Sequence, residues 1–123
     1  MIDLHCHILP GLDDGARTFE EALKMVRIAQ SDGIKTIVAT PHLFRGGFAT
    51  GDLASIEEKR RTLNDALGEN AIEVEIKSGA EVHISHNLID EIRAHRNSLT
   101  INGSAYMFIE FPSGHIYPGV KNL

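Results

Sequence analysis

The sequence predicts an α/β fold in which parallel strands alternate with helices. Apolar runs rich in β-branched residues recur along the chain of 123 residues, and the run "TIVAT" is stopped at once by a proline, as a buried parallel strand would be. Segments with apolar residues at helical spacing lie between these runs. Strand–helix alternation of this kind implies a parallel sheet with right-handed crossover connections.

The first strand is predicted over residues 2–5, and a helix follows it. Thr18 and Glu21 form a capping box at the start of that helix. Its apolar positions recur at helical spacing, at Ala22, Leu23, Val26 and Ala29. Gly33 is expected to end the helix, and the second strand is predicted over residues 36–40.

The second helix is predicted over residues 52–67, with Ser55 and Glu58 as a capping box at its start. Its buried side is expected at Ile56, Leu63 and Leu67. A third strand is predicted over residues 72–79. The remaining two elements are a short helix over residues 87–95 and a strand over residues 106–111.

Composition and charge limit the possible functions. The length suits one domain, residues 1–123, and 42% apolar residues are enough for a core. A net charge of −5 disfavours a nucleic-acid partner. No segment approaches the roughly 20 apolar residues of a membrane span, and the N-terminus does not resemble a signal peptide. With a single cysteine there is no internal disulfide, so a cytoplasmic location is expected.

Side chains that can bind a metal occur at the end of each predicted strand. His5 and His7 end the first strand, His42 follows the second, Glu81 follows the third and Glu110 ends the last. Because the carboxyl ends of parallel strands gather on one face, these side chains are expected to converge. Strand alternation puts Asp3 on the same side as the first two histidines. Cys6 then points towards the helices.

These residues predict a site for more than one metal ion. With Asp14 from the following "DDG" turn, the candidate ligands are His5, His7, Asp14, His42, Glu81 and Glu110. Imidazole and carboxylate groups suit zinc, manganese or iron. Since a catalytic ion uses three or four protein ligands, this set favours a cluster with a bridging glutamate. Such clusters bind phosphate oxygens and lower the pKa of a bound water.

Several of these residues have a purely structural alternative. Asp13 and Asp14 before a glycine could form only a turn, and Glu81 could be a helix cap or a solvated charge. Glu110 lies between two apolar residues, where a buried carboxylate needs a partner or a metal. Cys6 is expected to be a small core residue. Of the other histidines, His115 is ambiguous and a surface position is expected for His83, His86 and His95.

Four segments also occur in the order and spacing of a known family: "MIDLHCHILPGLDDGA", "TIVATPH", "SGAEVHI" and "YMFIEF". They resemble the bacterial metal-dependent protein-tyrosine phosphatases of capsule and exopolysaccharide operons, members of the PHP (polymerase and histidinol phosphatase) superfamily. The resemblance implies a distorted, TIM-like (β/α)₇ barrel and hydrolysis by a metal-bound hydroxide. Manganese is the implied metal, with iron or zinc as alternatives, and the complete site would hold two to three ions. The implied ligands are the six candidates above.

The resemblance also implies a substrate and shows a departure. The implied substrate is phosphotyrosine on the tail of a tyrosine autokinase that controls polysaccharide export. Family members are about twice as long as this chain. Barrels of this type also need about 200 residues or more. The chain is therefore expected to be the N-terminal half of the domain, to end before the barrel closes and to hold fewer ions.

Two further residues are expected near the predicted site, and the shorter length implies an open edge of the barrel. The family's later ligands and arginines are absent, so Arg45 is the candidate for substrate binding, and Asp3 is expected to support the ligands from behind. An open barrel edge would favour self-association. This edge is expected near Val82, Met107, Ile109 and Phe111.

Other functions remain open at this point. Another PHP phosphoesterase, for example one similar to histidinol phosphatase, would use the same ligands. Amidohydrolases also begin with His-x-His, but they add a bridging lysine, and no lysine ends a predicted strand here. A third possibility is a non-catalytic metal-binding remnant that assembles with itself or with a kinase.

Overall fold

The computed structural model describes residues 1–46 and 52–114. Its strands are β1 (Ile2–Cys6), β2 (Thr36–Ala39), β3 (His42–Leu43), β4 (Glu75–Ser78), β5 (Glu81–His83) and β6 (Phe108–Glu110). Its helices are α1 (Phe19–Ser31), α2 (Leu53–Glu69) and α3 (Leu88–Leu99), and a short 3₁₀ turn covers Ile101–Gly103. Each strand pairing is parallel, which confirms the predicted α/β class.

Two of the predicted strands are interrupted. β2 resumes as β3 after residues 40–41, and β4 resumes as β5 after residues 79–80. The first segments form a sheet in the order β1-β2-β4, and the second segments form a sheet in the order β3-β5-β6. The backbone N–H of Glu81 donates to the carbonyl of Pro41 at 3.0 Å, so pairing continues across the interruption. His42 and Glu81 therefore begin new strands and do not simply follow old ones.

The interruption has a local cause in the sequence. Pro41 has no backbone N–H to donate to a neighbouring strand. Gly79 lies so close to the adjacent strand that a Cβ on it would be 2.6 Å from Cγ1 of Val38. The buried Thr40 closes the gap towards β1, because its hydroxyl accepts from the N–H of Cys6 at 3.0 Å and its own N–H donates to the Cys6 carbonyl at 2.9 Å.

The strand pairing is staggered along the sheet. β1 pairs with the first segment of its neighbour, whereas β6 pairs with a second segment. A progressive shift of this kind is what a barrel requires. Within the described ranges each of these two strands has one paired edge, and apolar side chains are exposed on both of them, at Ile2, Leu4 and Ile109.

The predicted open boundary is partly wrong. Ile109 and Phe111 are 37% and 36% exposed, as an uncovered boundary implies. Met107 is only partly buried. Val82, however, is fully buried, because it packs with Leu43, Leu88 and Leu99 in a small second core.

The helix starts follow local hydrogen bonding. Thr18 caps α1 by accepting from the N–H of Glu21 at 3.2 Å, which confirms half of the predicted capping box, whereas the Glu21 side chain accepts from the N–H of Arg17 at 2.7 Å and not from that of Thr18. α2 is capped by Asp52, which accepts from the N–H of Ser55 at 2.7 Å, so the predicted box that began at Ser55 is wrong. α3 bends at His95, where its end was predicted, and continues to Leu99. Over the described ranges, no helix is long and apolar enough to cross a membrane.

The main core lies between the first sheet and helices α1 and α2. It is formed by residues such as Ile8, Leu9, Val26, Ile37, Leu63 and Ile76. Cys6 packs against this core on the side away from His5, as the strand alternation predicted. Burial of these side chains is the dominant stabilising contribution, and it holds the carboxyl ends of the strands in place.

Candidate metal centre

The structure brings the six candidate ligands together on one face, where β1 and β6 end and β3 and β5 begin. His5 lies in β1 and His7 just after it, Asp14 lies in the following turn, His42 begins β3, Glu81 begins β5 and Glu110 ends β6. Their ligand atoms fall into three overlapping groups, each within 4.8 Å. The first group is His5, His7 and Glu81, the second is His7, Asp14 and His42, and the third is His42, Glu81 and Glu110.

Glu81 lies at the centre of the site. Its Oε2 is 3.3 Å from Nε2 of His5, 3.3 Å from Nε2 of His7 and 3.1 Å from Nδ1 of His42. The two Nε2 atoms are themselves 3.3 Å apart. One carboxylate oxygen therefore faces three imidazole nitrogens from two separate segments, which is the arrangement expected of a bridging ligand.

Glu110 completes the third group. Its Oε2 is 3.2 Å from Nδ1 of His42, is buried, and has no hydrogen-bond partner within the described part of the chain. A buried carboxylate oxygen without a donor is costly unless a cation neutralises it. The residues present therefore fit a divalent metal ion, and the donor set of imidazoles and carboxylates suits zinc, manganese or iron.

Asp14 is the outermost of the six. Its side chain is 63% exposed, and its Oδ1 is 3.5 Å from Nε2 of His42 and 3.7 Å from Nδ1 of His7. These distances put Asp14 within reach of an ion shared with either histidine. Its exposure leaves the rest of that ion's coordination open to solvent or substrate.

Arg45 lies beside the third group of ligands. Its guanidinium is 2.6 Å from Oε1 of Glu110 and 3.2 Å from Nε2 of His42. Its side chain is 34% exposed. Because Arg45 contacts Oε1, the other oxygen of Glu110 still faces the histidine.

Asp13, for which the sequence predicts only a position in a turn, lies closer to the imidazole of His7 than Asp14 does. Its side chain is 1% exposed, and its Oδ2 is 2.8 Å from Nδ1 of His7. Hydrogen bonding to Asp13 raises the pKa of His7, against the opposing effect of burial. Burial acts to raise the pKa of Asp13 itself, but hydrogen bonds from His7 and from the backbone amides of His42 and Gly15 outweigh it, and that pKa is lowered.

Asp3 supports the site through the backbone. Its Oδ1 accepts from the N–H of His5 at 3.1 Å. This contact involves the main chain and not the imidazole. The carboxylate that contacts an imidazole is that of Asp13, a supporting residue that the sequence analysis missed, while the supporting role of Asp3 stays a prediction.

His83 corrects another expectation. It was expected at the surface, but its side chain is 24% exposed and its Nδ1 is buried, 3.5 Å from Oε2 of Glu110. Strand alternation could have found it, because His83 lies two residues after Glu81 in β5 and therefore on the same side. His86 and His95 are exposed as predicted, and His115 lies outside the described residues.

Phe108 is a further neighbour that the sequence did not reveal. Its ring stacks on the imidazole of His5, with centroids 4.9 Å apart and an interplanar angle of 26°. This packing restricts the imidazole of the most exposed histidine in the first group, whose side chain is 41% exposed.

The chain matches one described family over its whole length. The family is described as capsular polysaccharide synthesis, CpsB/CapC, and the match covers residues 1–123. The chain belongs to the CpsB/CapC family. A similar protein is the tyrosine-protein phosphatase YwqE of Bacillus subtilis, which is 38% identical over 116 residues. The tyrosine-protein phosphatase CpsB of Streptococcus pneumoniae is 31% identical over 128 residues.

The fold comparison gives the same family. Crystal structures are known for YwqE and for CpsB of Streptococcus pneumoniae, which are described as metal-dependent tyrosine phosphatases. A chain from these structures matches the present chain with a TM-score of 0.88 and 34% identity. The match covers 99% of this chain and 49% of that chain. The chain likewise covers 45% of YwqE and 51% of CpsB, so it spans about half the length of the CpsB/CapC relatives it matches.

Proposed function

We propose that this chain carries the metal-binding part of a protein-tyrosine phosphatase. The observation that carries the proposal is the position of Oε2 of Glu81, which lies 3.1–3.3 Å from nitrogens of three histidines. Membership of the CpsB/CapC family supports it, since similar family members are named tyrosine phosphatases. The proposed ligands are the six candidates, His5, His7, Asp14, His42, Glu81 and Glu110.

The metals would supply the chemistry of hydrolysis, because a divalent cluster activates water and stabilises charge on phosphoryl oxygens. We propose manganese, with iron or zinc as alternatives on the same donor set. The histidines and carboxylates of the chain hold and space the ions. No side-chain nucleophile is proposed, since Cys6 packs against the core.

Arg45 is proposed to bind the substrate phosphate. Arginine presents several donors in a planar fork that suits phosphate oxygens. In this structure the guanidinium contacts Oε1 of Glu110, at the border between the third group and the open side of the site. A phosphate bound to the ions would lie within reach of the same guanidinium.

The proposed substrate is phosphotyrosine on the tail of a bacterial tyrosine autokinase. We also propose that residues 1–123 form part of a single PHP-type domain, a (β/α)₇ barrel.

Self-association through the open edge stays a prediction, supported by the exposed Ile2, Leu4 and Ile109 on the two edge strands. A cytoplasmic location also stays a prediction.

The test is hydrolysis of a phosphotyrosine peptide by the purified chain, with added Mn²⁺ and after chelation. We expect Mn²⁺-dependent release of phosphate, and weaker release from phosphoserine peptide and from histidinol phosphate. Arg45→Ala should raise KM for the peptide more than it lowers kcat. Its matched control is Arg93→Ala, on the exposed side of α3, where the arginine pairs only loosely with Asp90 at 3.3 Å. Binding of Mn²⁺ with no hydrolysis of any ester would instead support the non-catalytic remnant.

A further inference from the structure

Asp13 makes three contacts that join separate parts of the metal centre. We infer that Asp13 is a positioning residue that fixes the tautomer of His7 and commits its Nε2 to the ion held with His5 and Glu81. The inference rests on the proposed function, because it requires that the imidazoles bind metal. It goes further, since it selects one of the two groups that could use His7.

The carboxylate of Asp13 is fully engaged in hydrogen bonds. Oδ2 is 2.8 Å from Nδ1 of His7 and accepts from the backbone N–H of His42 at 3.0 Å. Oδ1 accepts from the backbone N–H of Gly15 at 3.1 Å. With a side chain that is 1% exposed, the carboxylate has little access to solvent as a competing partner.

These contacts determine which nitrogen of His7 is available. A carboxylate only accepts hydrogen bonds, so Nδ1 of His7 must carry the proton that lies between them. The lone pair is then on Nε2, which is 3.3 Å from Oε2 of Glu81. A carboxylate that holds the distal nitrogen of a metal-binding histidine in this way fixes the ring and increases its basicity.

The contact between Asp13 and His7 also removes a ligand from the second group, which consists of His7, Asp14 and His42. Nδ1 is the nitrogen of His7 that lies 3.7 Å from Asp14, and its proton prevents it from binding an ion there. His42 and Asp14, 3.5 Å apart, then remain as the protein ligands of that position. The first position keeps three protein ligands and the second keeps two, so we infer that the first binds its ion more tightly.

The turn that carries Asp13 is built for this contact. A Cβ on Gly15 would lie 2.0 Å from the carbonyl oxygen and 2.4 Å from Cβ of His7, so only glycine fits. The N–H of Ala16 donates to the same carbonyl at 3.1 Å, and the N–H of Gly11 donates to the carbonyl of Ala16 at 2.8 Å. These contacts hold the loop folded back onto His7.

The test compares the parent chain with Asp13→Asn, which keeps the shape of the side chain but turns one acceptor into a donor. Long-range ¹H–¹⁵N NMR of the metal-free chain at pH 8 reports which nitrogen of His7 carries the proton. We expect Nδ1–H in the parent, and a smaller population of that tautomer in the variant, because its single amide oxygen faces the three donors of His7, His42 and Gly15. Mn²⁺ affinity at the tightest site should fall by about 10- to 100-fold, the usual effect of losing such a partner.

The control is Asp65→Asn, an exposed position on α2 with the same change in charge. Its His7 tautomer and Mn²⁺ affinity should match the parent. Nε2–H in the parent chain overturns the inference, and that measurement does not depend on the folding of any variant. An Asp13→Asn variant with parental tautomer and affinity also overturns it. Absence of phosphatase activity, with the expected tautomers and affinities, would count against the proposed function alone.

Discussion

The two sheets share two stretches of sequence, β2 with β3 and β4 with β5, but differ in what their residues contribute. In the first sheet Ile37, Val38 and Ala39 are 1–2% exposed, and Ile76 is fully buried. In the second sheet the same two stretches resume with His42 and Glu81, whose side chains face each other, with Nδ1 and Oε2 3.1 Å apart. In each stretch, the interruption therefore separates a strand that packs into the main core, β2 or β4, from a strand that begins with a candidate metal ligand, β3 or β5.

This difference teaches that stability and metal binding should respond to different substitutions. The first sheet contributes apolar burial, so substitutions there change the free energy of unfolding. The second sheet contributes His42, Glu81 and Glu110, and Glu81 also faces His5 at the end of the first sheet, so substitutions of these residues change metal affinity. Substitutions at the interruption should affect packing between the two segments.

The largest expected effect is that of Glu81→Gln on metal affinity. We expect Mn²⁺ affinity, measured by calorimetry, to fall by more than about 100-fold, beyond the usual effect of an outer partner, because Oε2 of Glu81 serves two of the three groups. Glu75→Gln is the matched control, since Glu75 is exposed at the start of β4 in the first sheet. An equal loss of affinity in both variants would show that net charge, and not the shared oxygen, determines binding.

The next effect is at the interruption. Gly79→Ala would place a Cβ 2.6 Å from Cγ1 of Val38 and should lower the free energy of unfolding by about 1–3 kcal/mol, as overpacking does. Gly68→Ala, in α2 with nothing within 4 Å of the new Cβ, should raise it by about 0.5–1 kcal/mol. Urea unfolding of both variants measures the difference. The same sign for both would contradict the close approach at Gly79.

A smaller effect is expected within the first sheet. Ile76→Val removes one methylene from a fully buried side chain and should cost about 0.5–1.5 kcal/mol of unfolding free energy. Mn²⁺ affinity of the folded protein should stay within twofold, about 0.4 kcal/mol, of the parent. A clear loss of affinity would show that the two sheets are coupled more strongly than their separate cores suggest.

The smallest effect is that of Cys6→Ser on the metal centre. Burial, followed by the charges of Asp3 and Asp13, raises the pKa of the Cys6 thiol to about 11. At pH 8 roughly one molecule in a thousand then carries the thiolate, so native Cys6 should react very slowly with iodoacetamide. Metal affinity and any phosphatase activity should be unchanged in the variant. Loss of activity with metal still bound would argue for a thiol nucleophile.

Much of this arrangement could be predicted from sequence because strand ends are visible there. The ends of four predicted strands located His5, His7, His42, Glu81 and Glu110, and parallel pairing brought them to one face. The two interruptions could not be predicted, because strands as short as β3 exist only through pairing with distant segments.

The supporting residues were less predictable. Asp13 and Asp14 are adjacent and chemically identical, and only the path of the turn decides that one is buried and the other exposed. Strand alternation places His83 on the same side of β5 as Glu81, but its position opposite Glu110 comes from the register of two distant strands, which sequence does not contain. Val82 was assigned to the boundary because the second core, completed by α3, was not foreseen.

The most direct test of the metal centre is anomalous scattering from crystals of the chain grown with Mn²⁺. The structure predicts one peak between His5, His7 and Glu81 and another between His42, Glu81 and Glu110. Each ion should lie about 2.0–2.3 Å from its ligand atoms, and Oε2 of Glu81 should contact both. Mn²⁺ bound elsewhere, or bound without Glu81, would contradict the claim that Glu81 is the shared ligand of the metal centre.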